Sequence, residues 1–238
     1  MDLYASIFTR KSCTKYDMTP LPTKTLEKLE NFISEVQPLL PGSNITHQVL
    51  GPDEVKGLAI PKAPHYMILS GNDQPLRGVC AGFLYQHVEL YLYSMGFATR
   101  WLSSVKSKRN DPNHIVGFAF GKPTESATRK TEEFDRKPME EIAEGTDERL
   151  EAVRLAPSGM NAQPWYFIVD GGAVHVYYKP TLGGLRGKLD HLTEVDAGLA
   201  LCHMAVASEH KGKPFRFHIN EKNSPAPPRD FAYIGTVK

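Results

Sequence analysis

The sequence predicts an α+β protein built from two related halves in one chain. The first observation is a repeat, because residues 79–82 (VCAG) and His87 recur 116 positions later as residues 195–198 (VDAG) and His203. The second is that helix-like and strand-like segments occur twice in the same order. Two such copies would pack about a pseudo-two-fold axis, as an isologous dimer does.

Apolar spacing predicts the helices, of which two belong to the core. Helices are predicted within residues 1–17, from an N-cap at Thr23 to Val36, at 79–95, at 150–155 and at 195–207. The third and fifth carry apolar residues on nearly all sides, which is typical of a buried helix. We therefore expect a structural role for His87 and His203, which lie within them.

Short apolar runs closed by turn residues predict the strands and the domain organisation. Strands are predicted at residues 65–70, 115–121, 165–169, 174–178 and 231–235. The third and fourth form a hairpin across an Asp-Gly-Gly turn. Residues 126–147 are charged and polar and indicate a solvated connection over the surface. The predicted organisation is a first half at 1–125, this connecting segment, and a second half at 148–238, packed as one globular unit.

The composition is that of an ordinary globular protein, with 41% hydrophobic residues, 23% charged residues and a formal net charge of +1. So small a charge gives no overall field for nucleic acid or an acidic membrane, and no apolar run is long enough to span a bilayer. The N-terminus lacks the order of a secretory signal. Scattered cysteines indicate a reducing compartment, so a cytoplasmic protein without a metal site is expected.

Residues 10–16 (RKSCTKY) are the first segment that could carry chemistry. Three cations and two hydroxyls lie within six residues, directly after a predicted helix. A phosphate monoester needs concentrated positive charge and several hydrogen-bond donors, and the planar fork of arginine suits it well. The segment could be an anion site or an ordinary solvated basic turn.

Residues 156–165 (APSGMNAQPW) are the second such segment. A proline and a tight Ser-Gly turn end the preceding helix, and Asn161 and Gln163 each supply a donor and an acceptor. Such groups suit the edge of a heterocycle or the polyol chain of a cofactor. The alternative is an ordinary helix-to-strand loop.

These two segments together resemble the signatures of FMN-dependent nitroreductases, an Arg-x-Ser-x-basic turn and a Pro-Ser-x-x-Asn-x-Gln-Pro-Trp loop. Residues 95–102 (MGFATRWL), 117–123 (GFAFGKP) and 136–142 (RKPMEEI) are similar to three further segments of that family. The resemblance covers nearly the whole chain. It implies a nitroreductase-like α+β fold, with mainly antiparallel sheet flanked by helices, and FMN as the cofactor.

The resemblance also implies which residues hold the cofactor. In the family the first signature binds the flavin phosphate, and the second reaches the same flavin from the other subunit of a homodimer. The implied cofactor-binding residues are Arg10, Lys11, Ser12, Leu102, Ser103, Arg136, Pro157, Ser158, Gly159 and Asn161. No side chain is assigned a catalytic role, because flavin N5 would carry the chemistry. Lys15 and Arg136 remain open as groups that could stabilise reduced flavin.

The two signatures are divided between the halves of this chain. The basic turn lies in the first half, where the matching loop at 41–47 (PGSNITH) lacks Gln-Pro-Trp, and no Arg-x-Ser turn precedes Leu150. The chain thus resembles a fused subgroup in which one chain mimics the dimer. One complete flavin site per chain follows, in a monomer or weak homodimer.

The implied function is hydride transfer from NADH or NADPH through FMN to a small oxidant such as a nitroaromatic or quinone. Two other classes remain open, an FMN carrier or sensor without turnover, and a duplicated scaffold that binds no flavin. The sequence-based expectation is that Arg10→Ala or Asn161→Ala weakens FMN binding and leaves the fold intact.

Overall fold

The computed structural model describes residues 2–180, 190–220 and 224–238. The helices are α1 (Leu3–Thr9), α2 (Thr23–Glu35), α3 (Arg77–Ser94), α4 (Met139–Ile142), α5 (Leu150–Arg154) and α6 (Asp190–His210). The strands are β1 (Ile45–Leu50), β2 (Val55–Lys56), β3 (His65–Gly71), β4 (Ala98–Leu102), β5 (Lys106–Ser107), β6 (His114–Gly121), β7 (Ala143–Glu144), β8 (Trp165–Asp170), β9 (Ala173–Tyr178), β10 (Phe217–His218) and β11 (Ala232–Val237).

One four-stranded antiparallel sheet has the order β1-β3-β6-β4. Its two central strands are the apolar runs predicted from the sequence, and both are almost entirely buried. Strands buried on both faces carry continuous apolar sequence instead of alternation. A separate pairing of β2 with β5 lies beside it.

A second sheet of five strands has the order β10-β11-β9-β8-β7. The predicted hairpin is confirmed, since β8 pairs antiparallel with β9 from Trp165↔Tyr178 to Asp170↔Ala173. The two turn residues between them, Gly171 and Gly172, both have positive φ (54° and 79°), which a two-residue turn matching the strand twist requires. Only β7 runs parallel to its neighbour among the described pairs.

The two long helices α3 and α6 cross at close range between the sheets. A Cβ atom on Gly82 would lie 2.2 Å from the carbonyl oxygen of Val195, and one on Gly198 would lie 2.2 Å from that of Val79. The contact is reciprocal, because 82 and 198 differ by 116, as do 79 and 195. Glycine at both positions is what allows the two backbones to touch.

The charged segment 126–147 is exposed at most of its positions, as its composition indicated, but it is not a simple linker over the surface. Phe134 and Ile142 are buried in it, and its strand β7 joins the second sheet beside β8. Isolated apolar residues in a charged segment show no periodicity, so the sequence pattern did not reveal their burial. The N-cap of α2 is Pro22, so Thr23 is the first helical residue and not the predicted cap.

Candidate functional site

The site begins where α1 ends. Arg10 follows the helix in extended conformation, and its N–H closes the last turn on Ser6. The chain then runs beside residues 127–128, with Lys11 N–H donating to the Ala127 carbonyl at 2.8 Å. This change of direction turns the Arg10 side chain inward, where it is 2% exposed.

Buried Arg10 forms an ion pair with an equally buried carboxylate. Its Nη2 lies 3.2 Å from Glu89 Oε1 and donates to Ser12 Oγ at 3.0 Å. Thr99 Oγ1 donates to the same Glu89 oxygen at 2.5 Å. Arg10 Nη1 and Glu89 Oε2 are buried without a hydrogen-bond partner. Unpaired buried polar atoms are costly, so they indicate a place for a further polar group.

Two more arginines of the connecting segment gather around Phe134. Arg129 Nε donates to the Arg10 carbonyl at 3.1 Å, and its guanidinium lies 3.5 Å from the Phe134 ring centre. The Arg136 guanidinium lies 5.4 Å from that centre, and its Nε is buried without a partner. Burial, and then the neighbouring guanidiniums, lower the pKa of both Arg129 and Arg136 to about 10. Both remain charged at neutral pH.

We call Arg10, Arg129 and Arg136 the arginine cluster. Arg10 acts electrostatically on Arg129 and Arg136, Arg129 acts on Arg136, and Glu89 is the buried carboxylate among them. Like charges held together out of water repel strongly. The cluster places three guanidiniums around one buried carboxylate, with Glu133 and Asp135 as further carboxylates nearby, so its partly buried part is positive and suits an anion.

The second predicted segment docks onto this cluster. Asn161 Oδ1 accepts from Arg136 Nη1 at 2.7 Å, and Asn161 Nδ2 donates to the Asp135 carbonyl at 3.0 Å. Gln163 N–H donates to Ser158 Oγ at 2.9 Å, while its side-chain oxygen accepts from Lys137 N–H at 2.8 Å. The structure thus brings the 156–165 loop against Arg136 of the arginine cluster.

This loop holds three non-glycine residues in the left-handed region. The φ angles are 52° for Met160, 58° for Asn161 and 48° for Gln163. Each such residue costs about 1–2 kcal/mol, and strain of this kind concentrates at functional sites. Met160 is fully exposed at the tip. The side-chain hydrogen bonds of Asn161 and Gln163 hold the strained conformation in place.

Asp196 on α6 fixes the backbone of the 156–165 loop. Its Oδ1 accepts the Gly159 N–H at 3.0 Å, and the residue is 8% exposed. Burial raises the pKa of Asp196 to about 7, although the Gly159 N–H opposes the rise. A carboxylate at this position is the polar exception in an otherwise apolar stretch of α6.

Asp196→Asn is expected to remove a pH dependence of stability. Between its ordinary pKa of 3.8 and about 7, native Asp196 holds a proton that the unfolded chain releases. The extra proton stabilises the native state fully below pH 3.8. As the pH rises to about 7, the free energy of unfolding falls by on the order of 4 kcal/mol. Urea unfolding of both proteins at pH 4.5 and 8 measures the effect. Parallel pH profiles for wild type and variant would contradict it.

Most of the predicted cofactor residues lie at the arginine cluster or in the loop that docks onto it. Hydrogen bonds join Arg10 to Ser12 and Arg136 to Asn161. Ser158 and Gly159 lie in the docked loop, directly after half-buried Pro157. The side chain of Lys11 is exposed.

The remaining predicted pair lies at the end of β4. Leu102 is buried in a cluster with Cys13 and Tyr16, and Ser103 after it is exposed. Strand β4 reaches the arginine cluster through the Thr99–Glu89 hydrogen bond. Of the two groups left open for reduced flavin, Lys15 is exposed and pairs with Glu125 at 3.6 Å.

Sequence reasoning missed Glu89, Arg129 and Asp196. The signal for both carboxylates was a charge inside an apolar helix, where an unpaired charge is expensive. Arg129 was hidden in the charged connecting segment.

The two histidines of the repeat are neutral and engaged within the helix core. The Nδ1 of His203 donates to the Ala152 carbonyl at 2.8 Å, so its Nε2 accepts from Gln86 Nε2 at 3.1 Å. Burial lowers the pKa of His203 to about 3 and that of His87 to about 4. These contacts give both rings a structural role.

Three clefts of about 500, 680 and 990 Å³ lie among the described residues. None of the three is lined by Arg10, Arg136 or Asn161. Within the described part of the chain, no group of His, Cys, Asp and Glu side chains could hold a metal ion, and no helix is long and apolar enough to cross a membrane. The arginine cluster is therefore identified by its charges and its docked loop.

Several solved structures described as nitroreductases are similar to this chain. A protein from Thermotoga maritima, described as a "putative nitroreductase", matches with a TM-score of 0.70 and 18% identity over 100% of this chain and 92% of its own. A "Putative NADH dehydrogenase/NAD(P)H nitroreductase" from Parabacteroides distasonis matches 62% of this chain and 99% of its own, with 14% identity and TM-score 0.45. An "FMN-dependent Nitroreductase" from Clostridium difficile matches 57% and 95%, with 13% identity and TM-score 0.42. The curated proteins contain no match.

The full-length match establishes a nitroreductase-like α+β fold with antiparallel sheets flanked by helices, which confirms the predicted fold class. The family model described as "Putative TM nitroreductase" matches residues 2–208. The chain belongs to that family.

Proposed function

We propose that this protein is an FMN-dependent oxidoreductase that transfers hydride from NADH or NADPH to a small oxidant such as a nitroaromatic or a quinone. The arginine cluster carries the proposal. Family membership supports flavin-dependent oxidoreductase chemistry, and the cluster supplies a place for the flavin phosphate in this chain.

The residues present fit an FMN phosphate. A phosphate monoester carries close to two negative charges at neutral pH, and three guanidiniums around one buried carboxylate offer it a positive, partly buried surface. The unpartnered Arg10 Nη1 and Arg136 Nε are donors without an acceptor. Phosphate oxygens are the acceptors that such donors bind most strongly.

When bound, FMN would supply reversible hydride acceptance and donation at its N5 atom. The chain's own residues would bind and orient it. Arg10, Arg136 and Ser12 would hold the phosphate, Asn161 would present both an acceptor and donors, and Asp196 would fix the Gly159 backbone. The backbone at Leu102 and Ser103 is proposed to face the flavin ring, by resemblance to the family.

We also propose that the chain is a fused dimer with its halves at 1–125 and 148–238. The reciprocal glycine contacts between α3 and α6 support this. So does a second pair of positions with the same offset, because Ser43 lowers the pKa of the Cys80 thiol as the Gly159 N–H lowers that of Asp196, each against the rise caused by burial. One cross-half flavin site then follows, with Arg10 from the first half and Asn161 from the second. The free, buried cysteines suit a reducing cytoplasm.

Steady-state oxidation of NADH and NADPH by the FMN-loaded protein tests the proposed activity. With a nitroaromatic or a quinone as acceptor, we expect turnover that requires FMN. Bound flavin without turnover on either nicotinamide would contradict the enzyme and favour the carrier or sensor.

Asn161→Ala is expected to weaken FMN binding about tenfold. The substitution removes a charge-assisted hydrogen bond, which contributes about 1.5–3 kcal/mol, and hydrogen bonds to solvent restore part of that free energy. The substitution also places alanine at a φ of 58°. Asn161→Gly is the matched control for that strain, since glycine adopts this conformation freely. Fluorescence titration with FMN measures both variants. Wild-type affinity in Asn161→Gly would remove Asn161 from the site.

A further inference from the structure

A cleft of about 990 Å³ lies among α1, α2, α3 and α6, separate from the arginine cluster. Its walls are aromatic: Phe32 stacks on Tyr91 with ring centres 4.0 Å apart, and Phe83 stacks on Phe215 at 5.6 Å. A concave, largely apolar cleft of this size suits a small organic ligand. The proposed function does not use it.

The cleft lies where the repeat would put a counterpart of the arginine cluster. Its lining includes Ala205 and Phe215, which stand 116 positions after Glu89 and Thr99. It also includes His87, the counterpart of His203, on which both Arg10 and Arg136 act electrostatically. The carboxylate of Glu89 is thus replaced by the methyl group of Ala205. The hydroxyl of Thr99, which hydrogen-bonds that carboxylate, is replaced by the phenyl ring of Phe215. The counterpart cleft has aromatic surface where the proposed flavin site has charge.

The charges that line the cleft are mainly negative. Its Asp, Glu, Lys and His residues are Asp2, Glu35, Glu209, Lys213, His87 and His210. Lys213 pairs at 2.7 Å with Glu148, which Lys211 shares at 3.2 Å, so one lysine stands against three lining carboxylates. Burial lowers the pKa of His87 to about 4, so this ring is neutral. The three lining carboxylates form no salt bridge among the described residues. A phosphate-bearing ligand would be repelled here.

We propose that this cleft is a second small-molecule site, which takes a flat aromatic cation without a phosphate. Aromatic walls attract a cation through the negative faces of their rings, and the unpaired carboxylates add attraction of the same sign. Ring stacking accounts for the preference for a flat ligand. This site is independent of flavin binding at the arginine cluster.

Fluorescence titration of the full chain with proflavine, a planar cation, tests the site. Anilinonaphthalene sulfonate, an aromatic anion, is the matched probe of opposite charge. We expect proflavine to saturate at one equivalent, with and without excess FMN, and to bind at least about tenfold more tightly than the anion. Displacement of proflavine by FMN, or equal affinity for the two probes, would overturn the proposal.

Two variants of the cleft lining, with one control, test whether the cation binds in this cleft. The double variant Glu35→Gln/Glu209→Gln is expected to weaken proflavine binding about fivefold. The control is Glu27→Gln/Glu144→Gln, which makes the same charge change at exposed positions outside the cleft and should leave proflavine binding unchanged. Ala205→Trp fills the cleft and should abolish binding. An equal loss in the two paired variants, or unchanged binding in Ala205→Trp, would overturn the assignment.

Discussion

Arg10→Ala is expected to destabilise the protein by about 3–5 kcal/mol and to weaken FMN binding at least about tenfold. The loss of stability arises because Glu89 is 0% exposed and would lose the partner of its buried ion pair. The loss of affinity arises because a phosphate donor is removed. The sequence alone led to the expectation that this variant leaves the fold intact, and buried Glu89 is the reason for the revision.

A double variant separates the two effects. Arg10→Met/Glu89→Gln removes both charges, and the glutamine can still accept from Thr99 Oγ1. Replacing a buried ion pair as a unit is often close to neutral, so stability should return while FMN affinity stays low. Urea unfolding and FMN titration measure the two quantities. A double variant that binds FMN like the wild type would show that Arg10 is only structural.

Gly82→Ala and Gly198→Ala are each expected to cost about 3 kcal/mol or more. In both variants the new Cβ would lie 2.2 Å from a backbone carbonyl oxygen of the opposite helix, so α3 and α6 would have to separate. The proposed two-fold relation between the halves further predicts that the two losses are similar.

Thermal or urea unfolding of both variants checks this, with Gly51→Ala as the control. A Cβ on Gly51 would meet only the flexible end of Glu54 at 3.6 Å, so that variant should stay within about 0.5 kcal/mol of wild type. A large loss in one glycine variant and none in the other would contradict the reciprocal contact.

The fold was predictable where periodicity is strong. The core helices α3 and α6 and the hairpin β8–β9 have apolar patterns that can be recognised without tertiary information. Strand β1 was not predicted, because its sequence (ITHQVL) mixes polar and apolar residues and none of its residues is fully buried.

The site was predictable only in its local motifs. The two segments that meet there could be recognised from their own residue types, but the partner of Arg10 lies 79 positions away at Glu89. Similarly, the carboxylate that supports Gly159 lies on α6 at Asp196. Such pairings arise from tertiary packing and leave no signal in sequence spacing.

The visible absorption spectrum of the purified protein, with flavin content per chain after incubation with FMN, tests the central claim most directly. We expect a flavin spectrum and one FMN per chain, bound at the arginine cluster and lost in Arg10→Met/Glu89→Gln. Absence of bound flavin even with excess FMN would contradict the proposed function, and two FMN per chain would contradict the single cross-half site.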